Sequence, residues 1–277
     1  MSSAVDFVAV DKPFTDRERI GIGLVYLITA LFTLILHSMV VIMFMFHKDL
    51  RCQNVYRIML IIGICECLQE VSHVYSGIVV LTQTKYSLFL DGFLGGLANS
   101  AWIAMIALSL VLAVERLFIF RKLSPSRNYS GIYFFFCIIC LIYGSTFFAV
   151  YLTTYTGIEF DILHCYWSYN DGPWSDIVSL TEYYTTVPLL ILTFLVYIAI
   201  FVIIIAMKKN TSANRNKAEY RLLITSFFNF IYATALICCW HYYALFLPDS
   251  PWTSIVINVG WIAFGALNPV MYLTMNR

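Results

Sequence analysis

Seven stretches of this chain are apolar for about 20 residues or more, long enough for an α-helix to cross roughly 30 Å of hydrocarbon. They are expected near 20–46, 55–81, 89–120, 130–152, 181–207, 221–247 and 252–274. Lipid offers no hydrogen-bond partner to an open strand edge, so spans of this kind form helices. Of the 277 residues, 61% are hydrophobic and 12% charged, with a mean hydropathy of +0.80. Soluble domains carry about 25% charged residues, and a soluble fold of this size could not hide so much apolar surface. The expectation is an all-α polytopic membrane protein, a seven-transmembrane helix bundle filling 1–277 as one domain behind a short N-terminal segment, 1–19. The first stretch is too long for a signal-peptide core and has no small-residue cleavage pattern, so it stays as a helix and no signal peptide is expected.

Charge orients the bundle. With the N-terminus outside, the inner side collects Lys48, Arg51, Arg57, Arg121, Lys122, Arg127, Lys208, Lys209, Arg215, Lys217, Arg221 and Arg277, against Lys12, Arg17, Arg19 and Lys85 outside. The positive-inside rule then predicts N-out, C-in. The outer side is instead acidic, with Asp91, Glu159, Asp161, Asp171, Asp176 and Glu182 among its residues.

Both Asn-X-Ser sequons, at Asn128 and Asn210, fall in inner loops and read as chance matches. Of eight cysteines only Cys165 is clearly outside, so no disulfide framework is expected. The loop from about Thr153 to Leu180 is aromatic and acidic, and reads equally as an aromatic belt or as a lid over a ligand cavity. The chain stops at Arg277, with no expected tail for phosphosites, an amphipathic helix or a lipidated cysteine.

Glu115-Arg116-Leu117 stands at the inner end of the third span, where Arg116 can reach the water layer. Taken alone it is an ordinary positive-inside charge beside its neighbour. Asn268-Pro269-Val270-Met271-Tyr272 lies near the inner end of the seventh span. Pro269 frees a backbone carbonyl there, letting Asn268 and Tyr272 form a polar hinge between helices. Together these motifs resemble the acidic-Arg switch and the Asn-Pro-x-x-Tyr sequence of rhodopsin-like G-protein-coupled receptors. Tyr56-Arg57-Ile58-Met59, Gly63-Ile64-Cys65-Glu66 and the ending from Met271-Tyr272-Leu273 to Asn276 are similar to nematode serpentine chemoreceptors of the Srt-like group.

The resemblance implies that Arg116 restrains the inactive state and then receives the G-protein, that Asn268 and Tyr272 rearrange on activation, and that Lys208, Lys209, Lys217, Glu219 and Arg221 border the G-protein cleft. It implies as partners a heterotrimeric G-protein, a small-molecule ligand and the bilayer, with no nucleic acid, cofactor or metal. The location implied is the plasma membrane, in a sensory cilium. Departures from the family pattern are also visible. Asp91 stands where the family supplies a disulfide cysteine, leaving Cys165 without its customary partner and the fixed conformation of the outer loop in doubt. Ala98 occupies the position of the acid in amine receptors, which argues against a monoamine ligand. Met105 replaces the expected polar residue of the sodium pocket. Cys239-Trp240 is similar to the Cys-Trp-x-Pro switch, but Tyr242 replaces its proline. No lysine lies between Trp252 and Met275 to form a retinal Schiff base, which excludes an opsin.

Glu66, mid-way along the second span, holds the place of the family's Asp. Glu70 and His73 follow at one-turn spacing and share its face. Intramembrane acids are functional candidates, although the plain structural reading is a protonated, hydrogen-bonded patch facing the bundle. The ligand pocket is expected among the outer halves of the second, third, fifth, sixth and seventh spans, lined by Glu70, Tyr75, Trp102, Trp167, Tyr183, Tyr184, Trp240, Tyr243 and Trp261, though such aromatics also serve helix packing. The leading expectation is a chemosensory receptor passing ligand binding to a G-protein as a population shift. The alternative is a transporter or channel using Glu66, Glu70 and His73, yet neither related halves nor paired broken helices are visible. An enzyme is not expected, because His73 and His241 have no metal-ligand spacing with Cys or acids.

Overall fold

A computed structural model describes residues 13–121, 130–210, 217–248 and 250–275. Its elements run α1 (Asp16–Phe46), a single turn α2 (Lys48–Arg51), α3 (Asn54–Thr82), α4 (Leu88–Phe120), α5 (Ser130–Tyr151), β1 (Ile158–Asp161), β2 (Tyr166–Tyr169), α6 (Ser175–Asn210), α7 (Lys217–Phe246) and α8 (Pro251–Met275). Seven of these helices are long and apolar enough to cross a membrane.

Local sequence explains the helix starts. Thr15 and Glu18 form a reciprocal capping box, the Thr15 N–H donating to Glu18 Oε2 at 2.8 Å, which satisfies backbone donors that the first turn leaves open. Ser87 caps α4 by accepting from the Leu90 N–H. The chief departure from expectation is α6, which begins at Ser175 rather than near 181. Two short features were also unforeseen, the turn α2 and the antiparallel hairpin β1–β2, in register from Ile158↔Tyr169 to Asp161↔Tyr166.

The bundle turns its apolar surface outward. Ile28, Phe32, Ile35 and Met39 of α1 are all exposed, as suits a chain solvated by lipid tails. Between helices, lipid removes the hydrophobic driving force, so close packing decides association. Gly77 of α3 lies against the backbone of Leu27 in α1, and Gly144 of α5 against Ser100 and Ala104 of α4. A Cβ at either would meet its neighbours at 2.7 Å. Helices α3 and α4 form the centre, with 61% of the most apolar stretch of each buried against 22% for α6.

Candidate functional site

The hairpin closes one end of the bundle and is held without a disulfide. Asp91, in the first turn of α4, takes the Phe160 N–H at 3.1 Å on Oδ2, and Lys85 Nζ reaches the same oxygen at 2.8 Å and Glu159 at 3.4 Å. From α1, Tyr26 donates to the Cys165 carbonyl at 2.9 Å. Arg19 bonds Gln83 and the Ile162 and Leu163 carbonyls. Gly95 lets Ile158 lie directly on α4, where any Cβ would overlap the Ile158 carbonyl. Cys165 is a free thiol, fully buried, and burial pushes it up to about 11. The doubt about this loop is therefore corrected. Its conformation is held by the carboxylate at the position of the missing cysteine together with the Arg19 and Tyr26 bonds, directed contacts that act in concert where a disulfide would act alone.

Behind the hairpin lies a cavity with about 450 Å³ of empty space, counting its open mouth. Asn99 and Trp102 of α4, Glu182 and Thr186 of α6, Trp240 and His241 of α7, and Ile257 and Trp261 of α8 line it. Of the expected lining, Trp102, Trp240 and Trp261 are there. Trp167 instead fills the hairpin's own core, fully buried against Phe160 and stacked on Tyr75. Tyr183 bonds Tyr242 at the α6–α7 seam. Tyr184 and Tyr243 are exposed on the outside of the bundle. These five positions, and Glu70, do not line this cavity, since an aromatic near a helix end fills whichever neighbouring groove is apolar.

Glu182 and Asn99 were missed. Glu182 is buried, and its Oε2 accepts Asn99 Nδ2 at 2.9 Å, the Tyr151 hydroxyl at 3.2 Å and the Tyr169 hydroxyl. It had been counted only among the outer-side acids, although the expected span 181–207 already contained it. Its place on the inner face of α6 turns it into the bundle.

Below the cavity a polar seam continues along α3 and α8. The Trp261 indole donates to Gln69 Oε1 at 2.9 Å, and the His73 ring meets Trp261 edge-on at 4.9 Å. Glu70 is received by Gly265, where a Cβ would overlap its Oε1. Glu66 Oε2 lies 2.7 Å from His37 Nε2 of α1, and its Oε1 accepts Asn268 Nδ2 at 2.5 Å. Asn229 of α7 donates in turn to Asn268. Glu66, Asn229 and Asn268 line a second cavity with Ser109 and Tyr197. Glu66, Glu70 and His73 are thus all buried, but among the described residues each turns to a different partner rather than to the next. His37 was also missed, although an imidazole amid the apolar run Leu34-Ile35-Leu36 was a visible signal.

At the far end, Glu115 and Arg116 are both buried, at 3% and 2% exposure. Arg116 Nη2 points to Met59 Sδ at 3.7 Å, and Glu115 faces Tyr133 of α5 and Asn54 of α3. Arg116 was expected to reach the water layer; it packs inside instead, since α4 is central and carries it between neighbours. Pro269 lies within α8. The side chains of Tyr272, Lys208, Lys209, Lys217, Glu219 and Arg221 lie outside the described residues, as do both sequons' loop residues 128–129 and 211–212.

The crystal structure of squid rhodopsin matches this fold with a TM-score of 0.75 at 14% identity, covering 94% of this chain and 82% of that one. At that identity the likeness concerns the fold alone. No curated protein matches the sequence. The family model described as serpentine type 7TM GPCR chemoreceptor Srt matches residues 10–277. Nearly the whole chain is covered, and the protein belongs to the Srt family of seven-transmembrane G-protein-coupled chemoreceptors.

Proposed function

We propose that a small molecule enters at the hairpin end, occupies the cavity between α4, α6, α7 and α8, and shifts the bundle toward a packing that admits a heterotrimeric G-protein at the Arg116 end. Charge supports this direction, because Lys48, Arg57 and Arg121 cluster at the Arg116 end and basic loops face the cytoplasm. The receptor then spans the plasma membrane with its N-terminus outside, in a sensory cilium.

The observation that carries the reading is the position of Trp261. It walls the ligand cavity, bonds Gln69 in the seam below, and lies one turn from Phe264, which lines the second cavity beside Asn268. A ligand that moves this ring acts on the Glu66–Asn268–Asn229 chain through packed atoms, the physical link that a two-state transition needs. Asn268, Pro269 and Tyr272 serve as the hinge, and Arg116 as the group released toward the G-protein, with Lys208, Lys209, Lys217 and Arg221 bordering its cleft.

Nucleotide exchange on a G-protein, measured with receptor in lipid nanodiscs, tests this. Arg116→Ala is expected to lower exchange by about tenfold, a loss of roughly 1.4 kcal/mol of coupling, while surface expression persists. Ion flux through the purified protein in liposomes, with no exchange on any G-protein, would overturn the proposal in favour of transport along Glu66, Glu70 and His73.

A further inference from the structure

The ligand cavity contains a carboxylate with one oxygen fully served and the other left over. Asn99 has two amide hydrogens, one directed at Glu182 Oε2 and one at the Tyr151 hydroxyl at 2.8 Å. Tyr151 and Tyr169 each have a single hydroxyl hydrogen, and both are given to the same Oε2. Every donor of this cluster is spent, three on Oε2 and one on the Tyr151 hydroxyl. Glu182 Oε1 receives no hydrogen bond among the described residues, and Glu182 is a wall of the cavity.

Among the described residues no ion pair neutralises that acid. Helix α8 contains neither Lys nor Arg, and those of α6 and α7 lie at the opposite end of the bundle. His241 shares the wall but packs edge-on against Tyr183 at 5.1 Å. A buried carboxylate with a bare oxygen calls for a cation or a strong donor. The surfaces around it are three tryptophan rings, Trp261 meeting Trp102 at 5.8 Å and Trp240 at 5.6 Å, and an indole face is the best aromatic partner for a cation.

We infer that the cavity takes a small ammonium compound with an apolar body, its charge on Glu182 Oε1 and its body against Trp102, Trp240 and Trp261. This rests on the proposed ligand cavity and names the class of its occupant. It also reverses the argument from Ala98: the acid is present, but it is supplied by α6 rather than by α4.

The test is equilibrium binding to receptor in nanodiscs at neutral pH, using cyclohexylamine, benzylamine and tryptamine, each beside its alcohol analogue cyclohexanol, benzyl alcohol or tryptophol. At least one amine is expected to bind about tenfold or more above its alcohol, and Glu182→Gln to remove that preference. Trp240→Leu should weaken amine more than alcohol. Alcohols binding as well as amines, no amine binding, or an unchanged preference in Glu182→Gln would each overturn the inference. The amine-to-alcohol ratio of the unaltered receptor decides the matter even if Glu182→Gln does not fold. G-protein exchange on the same nanodiscs separates the two proposals: amine binding without exchange rejects the coupling mechanism alone, whereas exchange driven only by the alcohols rejects the ligand class alone.

Discussion

The part of the bundle built on α1, α3, α4 and the hairpin is joined by buried polar clamps and backbone-close contacts, whereas α6 and α7 meet mainly through rings. On the first side, Asp91, Lys85, Arg19 and Tyr26 fasten the hairpin, and Gly77 and Gly95 bring backbones together. On the second, Tyr197, Phe201, Phe194, Phe227 and Phe230 form stacked, tilted and edge-on pairs at 5.2 to 6.2 Å. Interlocked backbones and directed hydrogen bonds define one arrangement, while ring faces permit sliding at small cost. A receptor needs both, a frame that holds its cavity in shape and a pair of helices that can part.

The comparison is broken most severely at Gly95. Gly95→Ala puts a methyl group onto the Ile158 carbonyl, and overpacking against backbone is expected to cost about 3 kcal/mol, read as a fall in thermal stability of the purified receptor. Cys165 reports the same event. Held as a buried thiol pushed up to about 11, it should resist a maleimide at pH 7.5 in the unaltered protein and become labelled in Gly95→Ala, as followed by peptide mass spectrometry. Labelling of Cys165 in the unaltered protein would show that the hairpin is not clamped.

Asp91→Ala should cost somewhat less, about 2 kcal/mol, because Lys85 keeps access to water once its partner is gone but the Phe160 N–H loses its acceptor. A double-mutant cycle with Lys85→Ala measures the pair itself, and additive losses would show that the two residues act separately. The smallest stability effect is expected on the other side. Phe201→Ala removes one edge-on pair with Phe227 at 5.2 Å from a partly lipid-facing position, a loss of about 1 kcal/mol. Ligand-independent nucleotide exchange should nevertheless rise in this variant, while it stays level in Asp91→Ala. Equal exchange in both would remove the distinction between frame and moving pair.

Much of the architecture was legible before any coordinates. The seven crossings, the polar face of Glu66, Glu70 and His73, and the motifs at Glu115-Arg116 and Asn268-Pro269 are properties of spacing along single helices, and spacing survives in a sequence. The site was read less well. Three of its tryptophans were named, but Glu182 was counted only as an acid on the outer side, and His37 was passed over within an apolar run. Trp167, Tyr183, Tyr184 and Tyr243 carried the right chemistry in places that do not open on the cavity.

What the amino-acid sequence determined by itself is the solvent of this protein and its number of crossings, because hydropathy summed over about 20 residues is a local quantity. Only the tertiary structure decided which polar groups meet. Asp91 replaces a disulfide only because the Phe160 N–H comes to it from far along the chain, and Glu66 gains its partners from α1 and α8. The bare oxygen of Glu182 likewise exists because three donors from α4, α5 and the hairpin converge on its neighbour. Such encounters depend on how helices rotate and pack against one another, and no pattern along one helix contains that information.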